Sequence, residues 1–398
     1  MPAGPDLPCT ALSFEPIIVQ VMMMHISMWS DSYYPYVSGV TRSIATSREA
    51  LRALGHRVSL FCPGYPGTPP EEDVYRLPSF KAPTNPGYYV AIPLHPGLFS
   101  TLRAQSPEVI HIHSPFNLGK LGLRFGKRLD VPVVFTYHTM YGMYSHYVPI
   151  LGKSASRLVE LATFKTANQA DVLITPSSAI RDYLRENGVK SEVFVIPNGI
   201  DLPEFQNGDR GFLRRAFGIP EGVPVVLTCG RLGKEKNLDT LLRSFSIVSQ
   251  KVDSVLLLVG DGPERESLKA LSVTLGIAGR AIFAGSVSPS RMPDIYAGAD
   301  LFLFTSLTDT QGLVIVEAKA AGLPAVAVAA LGVKDMVEDQ VDGFLCRNEP
   351  GEIAERVIFL LENPSLLRKM KENAKKAALR FSKEETARKL LECYKSVQ

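Results

Sequence analysis

The chain has 398 residues, 45% of them hydrophobic, with 43 Lys and Arg against 40 Asp and Glu. That length exceeds one ordinary core and suits two packed domains, and a net charge of +3 argues against a nucleic-acid-binding polycation. No run of about 18 apolar residues predicts a transmembrane helix, and Cys9, Cys62, Cys229, Cys346 and Cys393, with no C-x-x-C spacing, point to a reducing compartment and no metal cluster.

Residues 1–21 hold Pro2, Pro5, Pro8 and Pro16 with little pattern, so they read as an extension outside the fold, with the true start among Met22, Met23 and Met24. Absence of a basic start before an apolar core argues against a signal peptide. From there strands are predicted at 24–29, 57–61, 109–113, 132–136 and 171–175, and helices at 40–54, 117–129, 154–167 and 178–187. Residues 196–211, with two prolines and three glycines, read as a linker. A second strand series follows at 224–229, 254–259, 281–284, 301–304 and 324–328, then helices at 350–362 and 364–380. This alternation predicts α/β architecture, two doubly wound parallel-sheet domains facing a central cleft. The expected divisions are 22–200 for the first domain, 201–381 for the second, and 382–398 for a helix returning to the first.

Such sheets bind ligands beyond the carboxyl ends of their strands. After the first strand, Ser38, Gly39 and Val40 open a helix, a weak phosphate signal. The strand at 132–136 runs into His138, Tyr141, Tyr144, His146 and Tyr147, an unusually aromatic connection. A lone histidine at a strand end is more often structural than catalytic. In the second half, Gly230, Arg231, Lys236 and Asn237 frame a turn suited to a diphosphate. Val259-Gly260-Asp261-Gly262-Pro263 makes another tight turn, and the stretch ending at Val287 offers backbone groups to a nucleobase. The run Thr305–Leu323 then joins a strand to a helix through a polar turn. Asp309 and Glu317 bracket that helix entrance, where unpaired N–H groups and Gly312 favour an anionic or hydroxyl-rich ligand. Spacing alone equally allows a capping Asp and a solvated Glu.

Together these motifs resemble the retaining nucleotide-sugar glycosyltransferases of family four, from about Met24 to the C-terminus. The resemblance implies a GT-B fold. It also implies that Glu317 holds the ribose, and that Asp309 with the amides of Gln311, Gly312 and Leu313 holds the sugar. Arg231 and Lys236, joined by the Gly39 loop, would stabilise the leaving diphosphate, and Gly262 and Val287 belong to the same donor side. His138 would lie near the anomeric carbon. The family's E-x7-E signature here begins with Asp309, one methylene shorter, so activity is expected to persist with altered rate or sugar choice. No D-x-D motif is evident, which agrees with two cations in place of a metal. No cofactor is expected besides the nucleotide sugar, which is a substrate.

The stretch Thr136–Tyr147 resembles the subgroup that glucosylates diacylglycerol, which implies acceptor roles for Tyr141, Tyr144, His146 and Tyr147. Residues 81–166 carry nine basic and three acidic side chains. Helix 117–129 sets Leu118, Leu121 and Leu129 against Lys120, Arg124, Lys127 and Arg128, a pattern suited to an anionic bilayer and equally to a surface helix packed on the sheet. The expected activity is therefore transfer of a hexose, glucose from UDP-glucose, to diacylglycerol or a related lipid, by a cytoplasmic protein peripheral to the membrane. The same chemistry on a soluble sugar, sugar phosphate or polysaccharide is the alternative. A noncatalytic nucleotide-sugar-binding protein is a third reading, opposed by the intact Arg231, Lys236, His138 and Glu317.

Overall fold

The computed structural model describes residues 23–83, 87–93, 97–140 and 152–398, with side chains in the last stretch described from 157 onward. In chain order the first half carries β1 (His25–Trp29), α1 (Gly39–Ala53), β2 (Arg57–Pro63), β3 (Val74–Leu77), β4 (Ser79–Lys81) and β5 (Tyr89–Ala91). It continues with α2 (Leu98–Gln105), β6 (Val109–Ile112), α3 (Asn117–Leu129), β7 (Val133–Thr136), α4 (Gly152–Ala167), β8 (Val172–Thr175), α5 (Ser178–Glu186) and β9 (Glu192–Val195). Seven of these strands form one parallel sheet, ordered β3-β2-β1-β6-β7-β8-β9. β4 and β5 form a separate antiparallel pair.

The second half opens with α6 (Leu202–Gln206) and α7 (Phe212–Phe217). It runs through β10 (Val225–Cys229), α8 (Leu238–Val248), β11 (Val255–Val259), α9 (Arg265–Thr274), β12 (Ala281–Gly285), α10 (Met292–Gly298) and β13 (Leu301–Phe304). α11 (Leu313–Ala320), β14 (Ala325–Val328), β15 (Gly343–Cys346), α12 (Pro350–Glu362), α13 (Pro364–Ala378) and α14 (Lys383–Lys395) complete it. Its parallel sheet is ordered β12-β11-β10-β13-β14-β15. The strands are apolar almost without interruption because helices cover both faces. Val226, Leu256, Leu258, Leu301 and Leu303 point into one core layer, while Leu227, Leu257, Phe302 and Phe304 point into the other. The two sheets with their helices are the GT-B arrangement.

Among the described residues five strands lie where none was expected: β3 and β9 at the two edges of the first sheet, β15 at the edge of the second, and the antiparallel pair β4 and β5. β4 and β5 have three residues each, and Glu192 and the β4 residues Phe80 and Lys81 are exposed, so β4 and β9 lack the apolar run that marks a central strand. The stretch read as a linker at 196–211 also contains α6, whose Leu202 and Phe205 are buried.

Helix α3 is amphipathic as expected, and of the two uses open to its apolar face the structure shows packing on the sheet. Its apolar side is spent on the sheet: Leu118 and Leu123 are buried, and Leu121 and Leu129 pack against the same core. The three glycines explain how closely it docks. A Cβ at Gly119 would stand 1.7 Å from the Ser114 carbonyl oxygen, at Gly122 2.7 Å from Ile112, and at Gly126 2.3 Å from Val133. These residues cost helix propensity and in exchange remove the side chains that would hold the helix off β6 and β7. Only the basic edge of α3 is left for solvent.

The last helix returns to the first domain. Ile200 bridges to Ser382, Lys383 pairs with Glu49 of α1 at 2.7 Å and with Asp201 at 2.5 Å, and Leu390, Cys393 and Tyr394 join the core of the first sheet. Tyr394, fully buried, bonds through its hydroxyl to His111 Nδ1 at 2.7 Å. Tyr394→Phe strips that ring nitrogen of its partner and is expected to cost about 1–3 kcal/mol of stability, measured as a lower urea midpoint at unchanged slope.

Candidate active site

A cavity of about 800 Å³ opens between the two domains, lined by residues from both, within the size range of small-molecule sites. On the first domain's side, α1 begins at the cavity. Ser38 caps it by accepting from the Thr41 N–H at 3.2 Å, and Gly39 leaves the entrance open, with nothing among the described residues within 4 Å of where a Cβ would stand. From the second domain α11 begins at the same cavity. Gly312, at φ +83°, turns the chain into that helix without a side-chain cap. Two helix N-termini therefore face one space, and both favour negative charge.

Arg231, Asp309, Thr310, Gln311, Gly312 and Leu313 line the cavity together with Gly39 and His138. Lys236 stands behind Asp309, its Nζ 2.9 and 2.8 Å from the two carboxylate oxygens, and both side chains are about one-fifth exposed. Thr305 holds the Lys236 turn by donating its hydroxyl to the carbonyls of Lys236 and Asn237. The shorter arm of Asp309 thus still spans to the cation. Glu317 lies one level deeper in α11 and is 2% exposed. Arg42 of α1 reaches across to it at 2.7 Å, and the Tyr296 hydroxyl donates to it at 2.8 Å. Burial pushes the Glu317 carboxyl up, and Arg42 opposes the rise.

Gly262 and Val287 stand outside the cavity lining. At Gly262 a Cβ would press within 2.4 Å of the Leu232 carbonyl, and at Gly260 (φ +132°) within 1.9 Å of the Gly230 carbonyl. The glycine-rich turn is thus packed against the loop carrying Arg231. Val287 packs on the apolar core of the second domain. Tyr141, Tyr144, His146 and Tyr147 lie outside the described residues.

The polar turn at 308–312 is stitched to the first domain. The Thr310 hydroxyl donates to the His138 carbonyl at 2.8 Å, and the Ser177 hydroxyl donates to the Thr310 carbonyl at 2.7 Å. The buried Gln311 amide brackets Asn198, accepting from its N–H and side-chain NH2 at 2.9 and 2.6 Å and donating to its carbonyl at 3.0 Å. Ser43 in turn donates to Asn198 at 2.5 Å. Sequence reasoning missed Ser43, Ser177, Asn198 and Thr310. Small polar residues at 43, 177 and 198 carry no distinguishing signal until the domains meet.

His138 is buried at the cavity wall, its Nε2 3.0 Å from His113 Nδ1. His111 packs against His113, ring centroids 4.0 Å apart and planes tilted by 35°, and its Nε2 meets the Thr136 hydroxyl at 2.6 Å. Burial holds His138 down to about 4 and His111 to about 3, and His113 well below the ordinary range, so all three are neutral near pH 7.

Away from the cleft, Lys120, Arg124 and Lys127 of α3 line a groove with Lys165 of α4, about 440 Å³ in volume. Arg128 lies elsewhere, over the Phe99 ring at 3.8 Å. Leu158 and Leu161 of α4 are 66% and 53% exposed.

Two parallel-sheet domains with paired helix N-termini and a cation–carboxylate pair beside a shared cavity make up a GT-B architecture. Residues 37–204 match Glycosyltransferase Family 4, and residues 209–377 match Glycosyl transferases group 1. The alpha-monoglucosyldiacylglycerol synthase of Streptococcus pneumoniae is 32% identical over 346 residues, covering 84% of this chain and 78% of that one. A GDP-mannose-dependent alpha-mannosyltransferase of Corynebacterium glutamicum is 30% identical over 333 residues, covering 81% and 76%. The sucrose-phosphate synthase of Thermosynechococcus elongatus has the same fold, with a TM-score of 0.74 at 22% identity over 94% of this chain and 98% of that one. The chain belongs to glycosyltransferase family 4.

Proposed function

We propose that the protein transfers glucose from UDP-glucose to diacylglycerol or a related membrane lipid, with retention of configuration. The observation that carries this reading is the mixed lining of the cleft: Arg231 and Asp309–Leu313 enter it from the second domain, and Tyr36, Val90, Phe116 and Met140 of the first add aromatic and apolar surface suited to a lipid acceptor. The likeness to the glucosyldiacylglycerol synthase supports it. Arg231 and Lys236 take the charge that grows on the diphosphate as the anomeric C–O bond breaks. They serve in place of a metal ion. The acceptor oxygen attacks C1 on the face the diphosphate leaves, and its proton passes to the departing phosphate oxygen. His138 lies beside the reacting carbon.

Among the described residues no helix is long and apolar enough to cross a membrane. In this reading the protein meets the bilayer through the groove of Lys120, Arg124, Lys127 and Lys165 beside the exposed Leu158 and Leu161. Replacing Lys120, Arg124 and Lys127 together with glutamate is expected to abolish cosedimentation with anionic vesicles at low salt while donor hydrolysis persists. Undiminished sedimentation of that variant removes this surface from the reading.

The likeness to a GDP-mannose-dependent enzyme makes GDP-mannose the second donor to test. The decisive experiment presents UDP-glucose and GDP-mannose to the purified protein with diacylglycerol vesicles and with soluble sugars and sugar phosphates, products being read by mass. A glucosylated lipid from UDP-glucose is the expected product. Products only on soluble acceptors would replace the lipid reading.

A further inference from the structure

We propose that His113 is a positioning residue for glycosyl transfer: its Nδ1 holds the Nε2 side of the His138 imidazole and so commits the Nδ1 side of His138 to the cleft. The inference rests on the transferase reading of that cleft. The contact is 3.0 Å long between rings inclined by 22°, and both rings line the cavity. Both imidazoles are neutral, so each carries one ring N–H and across this contact one nitrogen donates while the other accepts. The tautomers of the two rings are thereby coupled, and the hydrogen-bonding character that His138 offers to a substrate is tied to that of His113.

His113 is itself fixed from below. His111, at a centroid distance of 4.0 Å, is held at both nitrogens, by Tyr394 and by Thr136. Among the described residues the other nitrogen of His113, Nε2, is buried without a hydrogen-bond partner. An orphaned buried nitrogen is a stability cost, and a side chain serving only to fill this space would be better apolar. The arrangement retains a ring whose useful atom is the one turned toward His138, as expected of a group kept for function at the expense of stability.

The amide of asparagine places a donor or acceptor near the position of imidazole Nδ1, whereas glutamine places it near Nε2, and leucine supplies neither. The test measures nucleoside diphosphate release, donor KM and thermal midpoint for purified His113→Asn, His113→Gln and His113→Leu. Expected is kcat near wild type for Asn and a loss of about 10²-fold for Gln and Leu, with donor KM little changed and the Leu midpoint no lower than wild type. A Leu variant with wild-type kcat overturns the proposal. So does an Asn variant as slow as Leu, or a kcat loss accompanied by a matching fall in thermal midpoint. Wild-type protein that released no nucleoside diphosphate from any nucleotide sugar would overturn the transferase reading itself, an outcome distinct from wild-type turnover that His113→Leu leaves intact.

Discussion

Lys236→Ala is expected to lower turnover by about 10²–10³-fold, the range for removing one preorganised donor from a developing anion, while leaving the donor KM within a few-fold. The ammonium of Lys236 spans both oxygens of Asp309 at 2.9 and 2.8 Å. It stands beside the helix entrance that would receive the sugar and diphosphate. Charge on the leaving group rises from ground state to transition state, so a fixed cation there acts chiefly on rate. The deletion also leaves Asp309, 19% exposed, without its counter-ion. Lys236→Met, which keeps the length and loses the charge, should be as slow. Steady-state kinetics with donor varied distinguishes the cases: equal and small changes in kcat and KM would remove Lys236 from the proposed chemistry.

Glu317→Ala should act on the other parameter, raising donor KM by about 10–100-fold, the loss expected of a charge-assisted hydrogen bond, with kcat reduced far less. Glu317 is buried behind the entrance to α11, and in the proposed reaction it meets the ribose and not the reacting carbon. It already binds Arg42 and Tyr296, so the substitution leaves a guanidinium and a phenol without their acceptor. A stability loss is therefore expected too, and the thermal midpoint must be recorded beside the kinetics. A variant whose donor KM stays at the wild-type value while kcat collapses would reverse the roles of the two carboxylates.

Both carboxylates stood out in the sequence because D-x7-E spans a strand-to-helix junction. Spacing alone equally allowed a capping Asp and a solvated Glu, and only the fold shows Asp309 on Lys236 and Glu317 buried on Arg42 and Tyr296. The sheet architecture was legible for a local reason. Central strands such as Leu301–Phe304 and Leu256–Val259 are covered on both faces and must be apolar throughout. The edges were not legible: Glu192–Val195 and Ser79–Lys81 are partly solvated and resemble loop. Gly119, Gly122 and Gly126 read as helix-weakening residues, and only contact with β6 and β7 shows what they permit. Arg42 and Glu317 lie on opposite domains, and their meeting depends on how those domains close. Asn198 shows the same limit. A residue that looked like linker turns out to join Ser43 to Gln311.

The return of α14 also sets an order of assembly. Tyr394 completes the hydrogen bonding of His111, a central-strand residue of the first sheet. Chains emerge from synthesis N-terminal end first, and domains ordinarily fold as units as they appear. Here the first domain is formed early and finished last. Its core keeps an open seam along α1 and β6 until residue 394 has emerged, after the entire second domain. A nascent chain paused within α13 would carry a folded second sheet and an unsealed first one, exposing Ile44, Leu51 and Val109 to whatever holdase or protease is at hand.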